Sequence, residues 1–302
     1  MKIVTAICTF NRSGLLLQTL NRLTEIARPR RSDWEVLIVD NNCTDDTQEA
    51  IDKYRELLPL HSCVEKKQGL SHARNAAVRL AVKRDAQYII WTDDDVLPCD
   101  EWLVAYEDAF VNMPSASVFG GPVEPWFAVP APRWLQNNWP IFSTAYAVKD
   151  LGKLEIPLQA TGDQIPFGAN YAISIAAQIS KNYNPSLGVV GNKRIGGEET
   201  EVMRELLANG RSGWWVPSAR VRHYIEPWRL TLKYLSSYYR GQGRTTIIQD
   251  GKKLPLGVKV WYIRHCVGVA FMLILRLLSG RQDACASLFI EFNQTVGKIA
   301  EG

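Results

Sequence analysis

The stretch Tyr88-Ile89-Ile90-Trp91-Thr92-Asp93-Asp94-Asp95 runs from an apolar segment straight into three consecutive carboxylates. A short apolar run of this kind is typical of a buried strand, which places the carboxylates at the carboxyl end of that strand. Two earlier runs, over 3–8 and 34–39, have the same character and also end in polar residues. Apolar residues at helical spacing fill the intervals, and such strand–helix alternation is typical of a parallel sheet. We therefore predict an α/β fold with a doubly wound, mostly parallel sheet flanked by helices, and a ligand site at the carboxyl ends of its strands.

The carboxylates of Asp93, Asp94 and Asp95 are the first candidate site. Carboxylates this close repel one another, which raises their pKa values unless a cation neutralises them. In extended backbone Asp93 and Asp95 would face one way and Asp94 the other. Oxygen ligands of this kind suit Mg²⁺ or Mn²⁺ held jointly with substrate phosphates. The alternative is a solvated acidic turn, which the apolar strand directly before the triplet disfavours.

A second acidic group, Glu198 and Glu199, follows two glycines and opens a predicted helix. Acidic residues are common in a first helical turn because they suit the helix dipole, and this is the simpler interpretation for one glutamate. Gly196 and Gly197 allow a close approach of the backbone, so the pair is also placed as a general base at a helix start would be. At the level of the residues both interpretations stay open.

The composition is that of an ordinary globular protein. Its 302 residues are 46% hydrophobic and 22% charged, which excludes the disordered, collagen-like and disulfide-scaffold classes. Six scattered cysteines form no C-x-x-C pair, so we expect free thiols in a reducing compartment and no thiolate zinc site. The first residues enter a strand directly, and we expect no signal peptide. These features predict a cytoplasmic protein.

The net charge of +4 is unevenly distributed. Residues 1–210 carry 21 basic and 26 acidic side chains, whereas residues 211–302 carry 14 basic and 5 acidic ones. The basic part is also rich in apolar and aromatic residues, but its uncharged run, 266–275, is shorter than the roughly 20 residues that a spanning helix needs. We therefore expect a helix in the bilayer interface beside anionic lipid, with packing against the chain itself or a second subunit as the alternative. The apolar content is too high for a nucleic-acid-binding surface.

Six short motifs follow one another along the chain. They read Thr9-Phe10-Asn11-Arg12, Val39-Asp40-Asn41, Gly69-Leu70-Ser71-His72-Ala73-Arg74-Asn75, Asp93-Asp94-Asp95-Val96-Leu97-Pro98, Gly168-Ala169-Asn170 and Gly197-Glu198-Glu199. Each motif is weak alone, but the ordered set is specific and, with the residues after it, extends to about residue 225. The set resembles the family 2 glycosyltransferases of the GT-A fold.

The resemblance implies an inverting transferase that uses a nucleotide-diphosphate sugar, with UDP as the expected nucleotide, and Mn²⁺ or Mg²⁺ as its cofactor. It assigns nucleotide binding to Thr9, Asn11, Arg12, Asp40, Asn42, Arg74, Asp93 and Asp94. It assigns metal binding to Asp95, Asp93 and His223, the last of which is otherwise an ordinary half-buried histidine. It assigns contacts with the donor sugar or the acceptor to Asn170, Gly168 and Trp126.

The resemblance also identifies a catalytic base. The family's base is usually the Asp of a Glu-Asp pair, and this chain has Glu199 at that position with Glu198 before it. Because Glu is one methylene longer than Asp, Glu198 is kept as the alternative. The base would take the proton of the acceptor hydroxyl as that oxygen attacks the anomeric carbon of the sugar.

On this reading the chain has three parts. Residues 1–125 form a nucleotide-sugar-binding half, 126–226 an acceptor-binding and catalytic half, and 227–302 a basic, apolar helical extension. A lipid-linked acceptor would explain the extension, so we expect surface-polysaccharide synthesis at the inner face of the cytoplasmic membrane. The alternatives are a catalytically silent sugar-nucleotide-binding protein, and a soluble transferase for protein or small-molecule acceptors whose extension is a homodimer interface.

Overall fold

Strands and helices alternate through the first part of the chain, as the sequence predicts. The structure, a computed structural model, describes residues 1–191, 195–251, 254–278 and 285–301. The strands within them are β1 (Lys2–Thr9), β2 (Asp33–Asp40), β3 (Leu60–Val64), β4 (Tyr88–Asp93), β5 (Val96–Pro98), β6 (Ala116–Gly120), β7 (Val123–Phe127), β8 (Tyr171–Ser174), β9 (Ser212–Trp215) and β10 (Val221–Ile225).

The helices range from single turns to more than six turns. Those of the described residues are α1 (Ser13–Glu25), α2 (Thr47–Tyr54), α3 (Leu70–Lys83), α4 (Trp102–Asn112), α5 (Arg133–Asn137), α6 (Trp139–Phe142), α7 (Ile175–Gln178), α8 (Glu198–Ala208), α9 (Leu232–Asp250), α10 (Leu256–Leu278) and α11 (Cys285–Glu301). Two short 3₁₀ helices cover Ser143–Tyr146 and Pro227–Arg229. Local signals set the ends of α9, because the hydroxyl of Thr231 caps its first turn and Gly251, at φ 63°, ends it in the left-handed region.

The main sheet has seven strands in the described residues, in the order β3-β2-β1-β4-β8-β6-β9. β1 pairs in parallel with β2 and β4, β2 with β3, and β6 with β9. β8 runs antiparallel to both of its neighbours, β4 and β6. The predicted mostly parallel sheet is thereby confirmed, and β8 is the one reversed strand among those described.

The strand register brings the polar strand ends to one edge of the sheet. Thr9 at the end of β1 lies opposite Asp40 at the end of β2. Cys8, one residue earlier, lies opposite Asp93 at the end of β4. Because all three strands point the same way, their carboxyl ends form the shared edge that the sequence predicts for the site.

Both faces of the sheet are buried, which explains the continuous apolar runs in its parallel strands. Along β1, Ile3 and Ile7 pack into one hydrophobic cluster, whereas Val4 and Ala6 pack into a second one. The first cluster contains Leu16 and Leu20 of α1 among other residues, and the second contains alanines of α3. Helices therefore cover both faces, as in a doubly wound fold.

A second, three-stranded sheet has the order β5-β10-β7 and was not predicted as a unit. Its β5 is only three residues long and ends in Pro98, too short for a strand pattern to stand out. β10 pairs antiparallel with β5 and sets His223 opposite Val96. This pairing carries the histidine to the acidic triplet that directly precedes β5.

Contacts between Cα atoms divide the chain into two compact units. Unit 1 comprises Met1–Trp126, Ala147–Pro185 and Glu198–Tyr224, and unit 2 comprises Phe127–Tyr146, Ser186–Gly197 and Ile225–Gly302. Every residue that the sequence analysis proposes for the active site lies in unit 1. The three-part division by role, at residues 125 and 226, rests on expected functions and stays a prediction.

Within unit 2, α9 and α11 cross in backbone contact. A Cβ atom on Gly243 would come within 2.0 Å of the carbonyl oxygen of Gln294, and one on Gly297 equally close to that of Arg240. Small residues at a crossing allow such an approach, so this helix pair is closely fixed. Residues 252–253, 279–284 and 302 of the predicted extension lie outside the described residues.

α10 is longer than the uncharged run 266–275 from which the sequence analysis judged whether this segment could span a membrane. The uncharged run of ten residues lies inside a 23-residue helix, and charged residues within that helix do not end it. Its segment Leu256–Arg276 is, by length and composition alone, long and apolar enough to cross a membrane. Only 11% of the most apolar 18-residue stretch of this segment is buried in the protein. The expectation that this segment is too short to span is therefore wrong.

Candidate active site

The acidic triplet sits at the turn between β4 and β5. β4 ends at Asp93, and Asp94 and Asp95 form the turn that follows, both buried. Because the extended backbone stops at Asp93, strand alternation does not continue to Asp95. The triplet therefore does not divide into two opposite faces as the sequence analysis expected, and Asp94 and Asp95 share a partner.

That shared partner is Arg12, in the loop between β1 and α1. Its Nη1 atom donates to Asp94 Oδ1 at 2.8 Å, and its Nη2 atom donates to Asp95 Oδ2 at 2.7 Å. The hydroxyl of Thr9 donates to the second oxygen of Asp94 at 2.7 Å. Burial raises the pKa of Asp94 to about 7, and the positive charge of Arg12 opposes this rise.

His223 approaches the same turn from β10. Its Nε2 atom lies 3.4 Å from Oδ2 of Asp95, and both side chains are buried. Asp93 is about one-third exposed; desolvation of its carboxyl group raises its pKa, Arg74 opposes the rise, and the neighbouring charge of Asp95 adds to it. The structure thus places His223 beside Asp95, with Asp93 near enough for both charges to affect its pKa, and the role of the three residues as metal ligands stays a prediction.

The donor atoms at this turn suit Mn²⁺ or Mg²⁺ by type. Carboxylate oxygens are the ligands that these cations prefer, and Asp93 and Asp95 supply them. Asp95 Oδ2 is an oxygen that already attracts positive charge, since the Arg12 guanidinium donates to it. In the described part of the chain no group of three or more His, Cys, Asp or Glu side chains converges as a complete metal site. Asp93, Asp95 and His223 therefore match such a cation by the type of their donor atoms only.

The second acidic cluster lies at the start of α8. Gly197, directly before the helix, has φ 95°, a conformation that favours glycine. Glu198 is buried, and desolvation raises its pKa to about 8, with the charge of Glu199 adding to the rise. Glu199 is half-buried and lies beside Gly168, where a Cβ atom would come within 3.3 Å of its Oε1. Of the two glutamates, Glu199 is the more accessible to a substrate.

Arg74 of α3 joins the two acidic clusters. Its Nε atom lies 3.4 Å from Glu198 Oε1, and its Nη2 atom lies 4.0 Å from Asp93 Oδ1. The guanidinium is buried, and a Cβ atom on Gly168 would come within 2.7 Å of it. A buried cation between carboxylates offsets their mutual repulsion, which is why both clusters fit so close together.

Aromatic side chains enclose Arg74 on its remaining sides. The hydroxyl of Tyr171 accepts a hydrogen bond from Arg74 Nη1 at 2.5 Å and exchanges a second one with Tyr183 at 2.8 Å. The guanidinium carbon lies 5.2 Å from the ring centroid of Trp91 and 5.6 Å from those of Tyr171 and Tyr183. Sequence reasoning missed these three residues, although Tyr171 follows the Gly-Ala-Asn motif directly.

Asn170 has a structural position instead of the predicted open one. It is completely buried, and its Oδ1 atom accepts hydrogen bonds from Trp102 and Tyr106, both at 2.9 Å. Its Nδ2 atom donates to the carbonyl oxygens of Pro122 and Ala219. Because both of its polar atoms are engaged within the protein, Asn170 holds the Gly168 turn in place and does not present a group to a sugar.

The nucleotide-binding candidates line the edge formed by β1 and β2. Asp40 is buried, and its Oδ1 atom accepts a hydrogen bond from the backbone nitrogen of Cys43 at 2.7 Å. Asn11 and Asn42 are exposed, and both have positive φ, 51° and 67°. The Oδ1 atom of Asn11 accepts from the backbone of Thr44 at 2.7 Å, which ties the two loops together.

Asn41 belongs to the motif Val39-Asp40-Asn41 at this edge, but the sequence analysis assigned it no role. It is buried, and its Oδ1 atom accepts from the backbone nitrogen of Gly69, while its Nδ2 atom donates to the carbonyl oxygens of Glu65 and Lys67. It therefore fixes the loop that leads into α3, the helix that carries Arg74. Its place directly after Asp40 is the signal that could have identified it.

Trp126 lies at the end of β7, next to β10. Its ring packs edge-on against Tyr224, with 4.9 Å between the centroids, and the guanidinium carbon of Arg222 lies 5.6 Å from it. Trp126 and Tyr224 are both half-buried. Since the backbone nitrogen of Tyr224 donates to the carbonyl oxygen of Asp95, this aromatic pair is directly linked to the acidic turn.

A comparison with protein families identifies the group to which this arrangement belongs. The model described as glycosyl transferase family 2 matches residues 5–156, which is half of the chain. The chain belongs to glycosyl transferase family 2. The resemblance seen in the six motifs is thereby confirmed, and membership identifies the chain as a glycosyltransferase. No curated protein matches it in sequence.

Solved structures of other glycosyltransferases share the GT-A fold with this family 2 chain. The mannosyltransferase PcManGT from Pyrobaculum calidifontis, in complex with GDP-Man and Mn²⁺, is 17% identical, with a TM-score of 0.61 over 98% of this chain and 86% of that one. S. aureus TarS 1–349 in complex with UDP-GlcNAc is 15% identical, with a TM-score of 0.57 over 82% of this chain and 67% of that one. A longer TarS chain is 16% identical, with a TM-score of 0.56 over 82% of this chain. The chain spans 40% of that longer TarS.

Proposed function

We propose that this glycosyltransferase moves a sugar from a UDP-linked donor to an acceptor hydroxyl, with inversion at the anomeric carbon and with a divalent metal. The observation that carries the proposal is the meeting of two acidic clusters on one buried cation. Arg74 lies 4.0 Å from Asp93 and 3.4 Å from Glu198. The acidic triplet, which suits a cation that neutralises a diphosphate, therefore lies close to the glutamate pair, which suits proton transfer. Such a reaction requires both.

The nucleotide end of the donor would bind at the edge formed by β1 and β2. Thr9 and Asp40 lie opposite each other there, and the exposed Asn11 and Asn42 flank them. A buried carboxylate such as Asp40 is suited to accept hydrogen bonds from the N–H groups of a base. The nucleotide sugars in the PcManGT and TarS 1–349 complexes support a donor of this class.

Asp95, His223 and Asp93 would hold the metal, which when bound neutralises charge on the departing diphosphate. Asp95 Oδ2 and His223 Nε2 lie 3.4 Å apart in buried side chains, so these two donor atoms are already close together. Arg12 and Arg74 bring two further positive charges to the carboxylates around this turn. Together they keep the acidic turn compatible with an anionic substrate.

Glu199 would act as the general base. It is half-buried and lies beside Gly168, whereas Glu198 is buried against Arg74. As the acceptor oxygen forms its bond to the anomeric carbon, its proton passes to the Glu199 carboxylate and the bond to the diphosphate oxygen breaks. The products are the glycoside with inverted configuration and the nucleoside diphosphate. Glu198 and Arg74 would orient the carboxylate of Glu199.

The acceptor would lie against the pair formed by Trp126 and Tyr224. Aromatic rings offer a large apolar face with little loss of side-chain entropy, which suits the faces of sugar rings. The pair is half-buried and bonded to the acidic turn through the backbone of Asp95.

The direct experiment is a panel of UDP- and GDP-sugars assayed for release of the nucleoside diphosphate, with and without Mn²⁺. We expect a metal-dependent release with one UDP-sugar and its loss in Asp95→Ala. Asp100→Ala, which changes an exposed carboxylate that pairs with Arg22, is the matched control and should keep activity. Release that does not require metal, or that survives Asp95→Ala, would contradict the proposal. Thermal stabilisation by the donor without any release would favour a silent sugar-nucleotide-binding protein.

We further propose that α10 associates with the cytoplasmic membrane and that the acceptor is lipid-linked, as in surface-polysaccharide synthesis. One side of α10 packs on α11, where His265 Nε2 lies 2.7 Å from Glu291 Oε1, and Cys266 and Val269 of α10 are buried. The opposite side exposes large apolar residues to solvent: Val260, Trp261, Ile263, Val267, Phe271, Met272, Ile274 and Leu275. An apolar surface of this extent marks an interaction site in a soluble protein.

The charge around α10 favours lipid over a second protein chain. Lys259, Arg264 and Arg276 lie on the helix, which contains no acidic residue. Basic residues beside an apolar helix are attracted to the anionic lipids of the cytoplasmic leaflet, by about 1 kcal/mol each near the surface. Two identical basic helices would instead repel each other in a homodimer.

Vesicle co-sedimentation of the full chain tests the membrane proposal. We expect wild type to sediment with vesicles that contain phosphatidylglycerol, and the double variant Val267→Glu/Phe271→Glu to stay in solution. Leu57→Glu/Leu154→Glu, which changes two equally exposed apolar residues of unit 1, is the control and should still sediment. The membrane proposal would be contradicted if wild type did not sediment with the vesicles and were a dimer, while the α10 double variant were a monomer.

A further inference from the structure

Arg12 makes the most specific contact of the candidate metal site. It bonds two buried carboxylates at once, Asp94 at 2.8 Å and Asp95 at 2.7 Å, while its own side chain is one-third exposed. A guanidinium that bonds two carboxylates is a geometry that lysine does not reproduce, because the donors of arginine have a fixed planar arrangement. The two aspartates thus have a built-in counter-ion.

Hydrogen bonds within the protein hold the Asp94 carboxylate and the backbone of the turn, whereas the Arg12 side chain is one-third exposed. The hydroxyl of Thr9 holds the second oxygen of Asp94. The hydroxyl of Thr19, on α1, donates to the carbonyl oxygens of Asp94 and Val96 at 2.9 and 3.1 Å and fixes the backbone of the turn. Arg12, by contrast, reaches the turn by a long side chain from a loop and borders solvent.

Arg12 and His223 both approach the same oxygen of Asp95. Arg12 Nη2 donates to Oδ2 at 2.7 Å, and His223 Nε2 lies 3.4 Å from that atom. A divalent cation held between Asp95 Oδ2 and His223 Nε2 would therefore share that oxygen with the guanidinium. Two cations on one carboxylate oxygen repel each other, so the guanidinium and the metal compete for Asp95.

We propose that Arg12 is a positioning residue that competes with the divalent cation for Asp95, so that metal binds weakly alone and tightly together with the nucleotide diphosphate. The inference rests on the proposed function. A diphosphate brings negative charge to the site and offers the displaced guanidinium a bidentate partner in place of the carboxylate. Metal and nucleotide would then bind as a coupled pair, and each would raise the affinity for the other.

Titration of Mn²⁺ into the full chain, without and then with UDP, tests this coupling by calorimetry and by the electron paramagnetic resonance signal of free Mn²⁺. For Arg12→Gln we expect binding of Mn²⁺ alone to tighten by at least about tenfold, as one lost charge-assisted bond predicts. The factor by which UDP raises Mn²⁺ affinity should fall correspondingly. Arg22→Gln, on α1 and paired with Glu25 and Asp100, is the matched control and should match wild type.

Arg12→Lys keeps the charge but not the two-carboxylate contact, and we expect its Mn²⁺ affinity to lie between those of wild type and Arg12→Gln. It carries the test if thermal melting shows that Arg12→Gln is unfolded. Unchanged or weaker binding of Mn²⁺ alone in both variants, with wild type still binding Mn²⁺ and UDP together, would overturn this inference and leave the proposed function intact. Wild type that binds no Mn²⁺ even with UDP would instead overturn the metal dependence itself, and the inference with it.

Discussion

The Nε atom of Arg74 lies 3.4 Å from Oε1 of Glu198, and both side chains are buried. The pair joins α3 to α8, two helices that are more than a hundred residues apart in the sequence. Through Asp93, at 4.0 Å from the same guanidinium, it also reaches the acidic turn after β4. Arg74 is therefore the residue that connects the two acidic clusters of the candidate site.

Replacing Arg74 by methionine should strongly destabilise the protein. Methionine keeps much of the side-chain volume but leaves the buried carboxylates without their cation, and above about pH 8, where Glu198 is ionised, the loss of one partner of a buried pair costs about 3–5 kcal/mol. Urea denaturation measures the free energy of unfolding. Arg79→Met, which changes an exposed arginine of the same helix, should differ from wild type by no more than about 0.5 kcal/mol. Equal stabilities of the two variants would show that Arg74 does not offset the buried charges.

The free energy of unfolding should fall as the pH rises, and Glu198 should cause part of the fall. Burial raises its pKa from the ordinary 4.5 to about 8. Between these values the folded protein holds a proton that the unfolded chain has released, so the folded state loses stability as pH rises through this window. Asp94, with a pKa of about 7, contributes a change of the same sign.

Denaturation at the two ends of that window, for wild type and Glu198→Gln, measures this contribution. We expect a flatter pH dependence in the variant, because glutamine does not titrate. Glu205→Gln changes an exposed residue of the same helix and should keep the wild-type slope. A Glu198→Gln slope as steep as that of wild type would mean that Glu198 is not protonated in the folded protein.

An alanine at Gly168 should lower turnover while leaving the protein folded. Its Cβ atom would lie within 2.7 Å of Arg74 Nη2 and 3.3 Å of Glu199 Oε1, so one or both side chains must move. A displacement of about 1 Å in a catalytic group costs on the order of 10²-fold in rate. Gly14→Ala, at a position with open space around it, should be as active as wild type. Steady-state rates of the two variants decide the matter, and a fully active Gly168→Ala protein would remove Gly168 and Glu199 from the reacting region.

His223→Ala should weaken the binding of Mn²⁺ in the presence of UDP. The loss should be at least about tenfold, the smallest loss typical of residues one shell further from a metal. Electron paramagnetic resonance of free Mn²⁺ measures it directly. His61→Ala, at a half-buried histidine of β3, is the control and should bind Mn²⁺ as wild type does. Unchanged affinity in His223→Ala would return His223 to the role of an ordinary buried histidine.

The sequence predicts the elements with strong periodicity and misses the short ones. α3 lies in one of the intervals where the sequence places a helix, because its apolar residues repeat at helical spacing. β3 contains His61 and Ser62 and β5 has three residues, so neither has a strand pattern of its own. These strands form because neighbouring strands supply their hydrogen bonds, which is information that lies elsewhere in the chain.

The candidate site was predictable as a set of positions but not as a set of contacts. The motifs bring Thr9, Asp40 and the acidic triplet to one edge, since the carboxyl ends of parallel strands meet there. Residue type alone does not reveal that Asn170 is fully bonded inside the protein, or that Arg12 bonds two aspartates. Both facts depend on distances between segments more than forty residues apart, which no local pattern encodes.

The measurement that bears most directly on the proposed chemistry compares transfer rate and donor affinity in Glu199→Gln. We expect the rate to fall by about 10²- to 10⁴-fold, the usual contribution of a general base, while the donor and Mn²⁺ still bind as in wild type. Glu201→Gln, on the same helix, should retain activity. Full activity of Glu199→Gln would contradict the assignment of the base and move it to another residue, with Glu198 as the first to test.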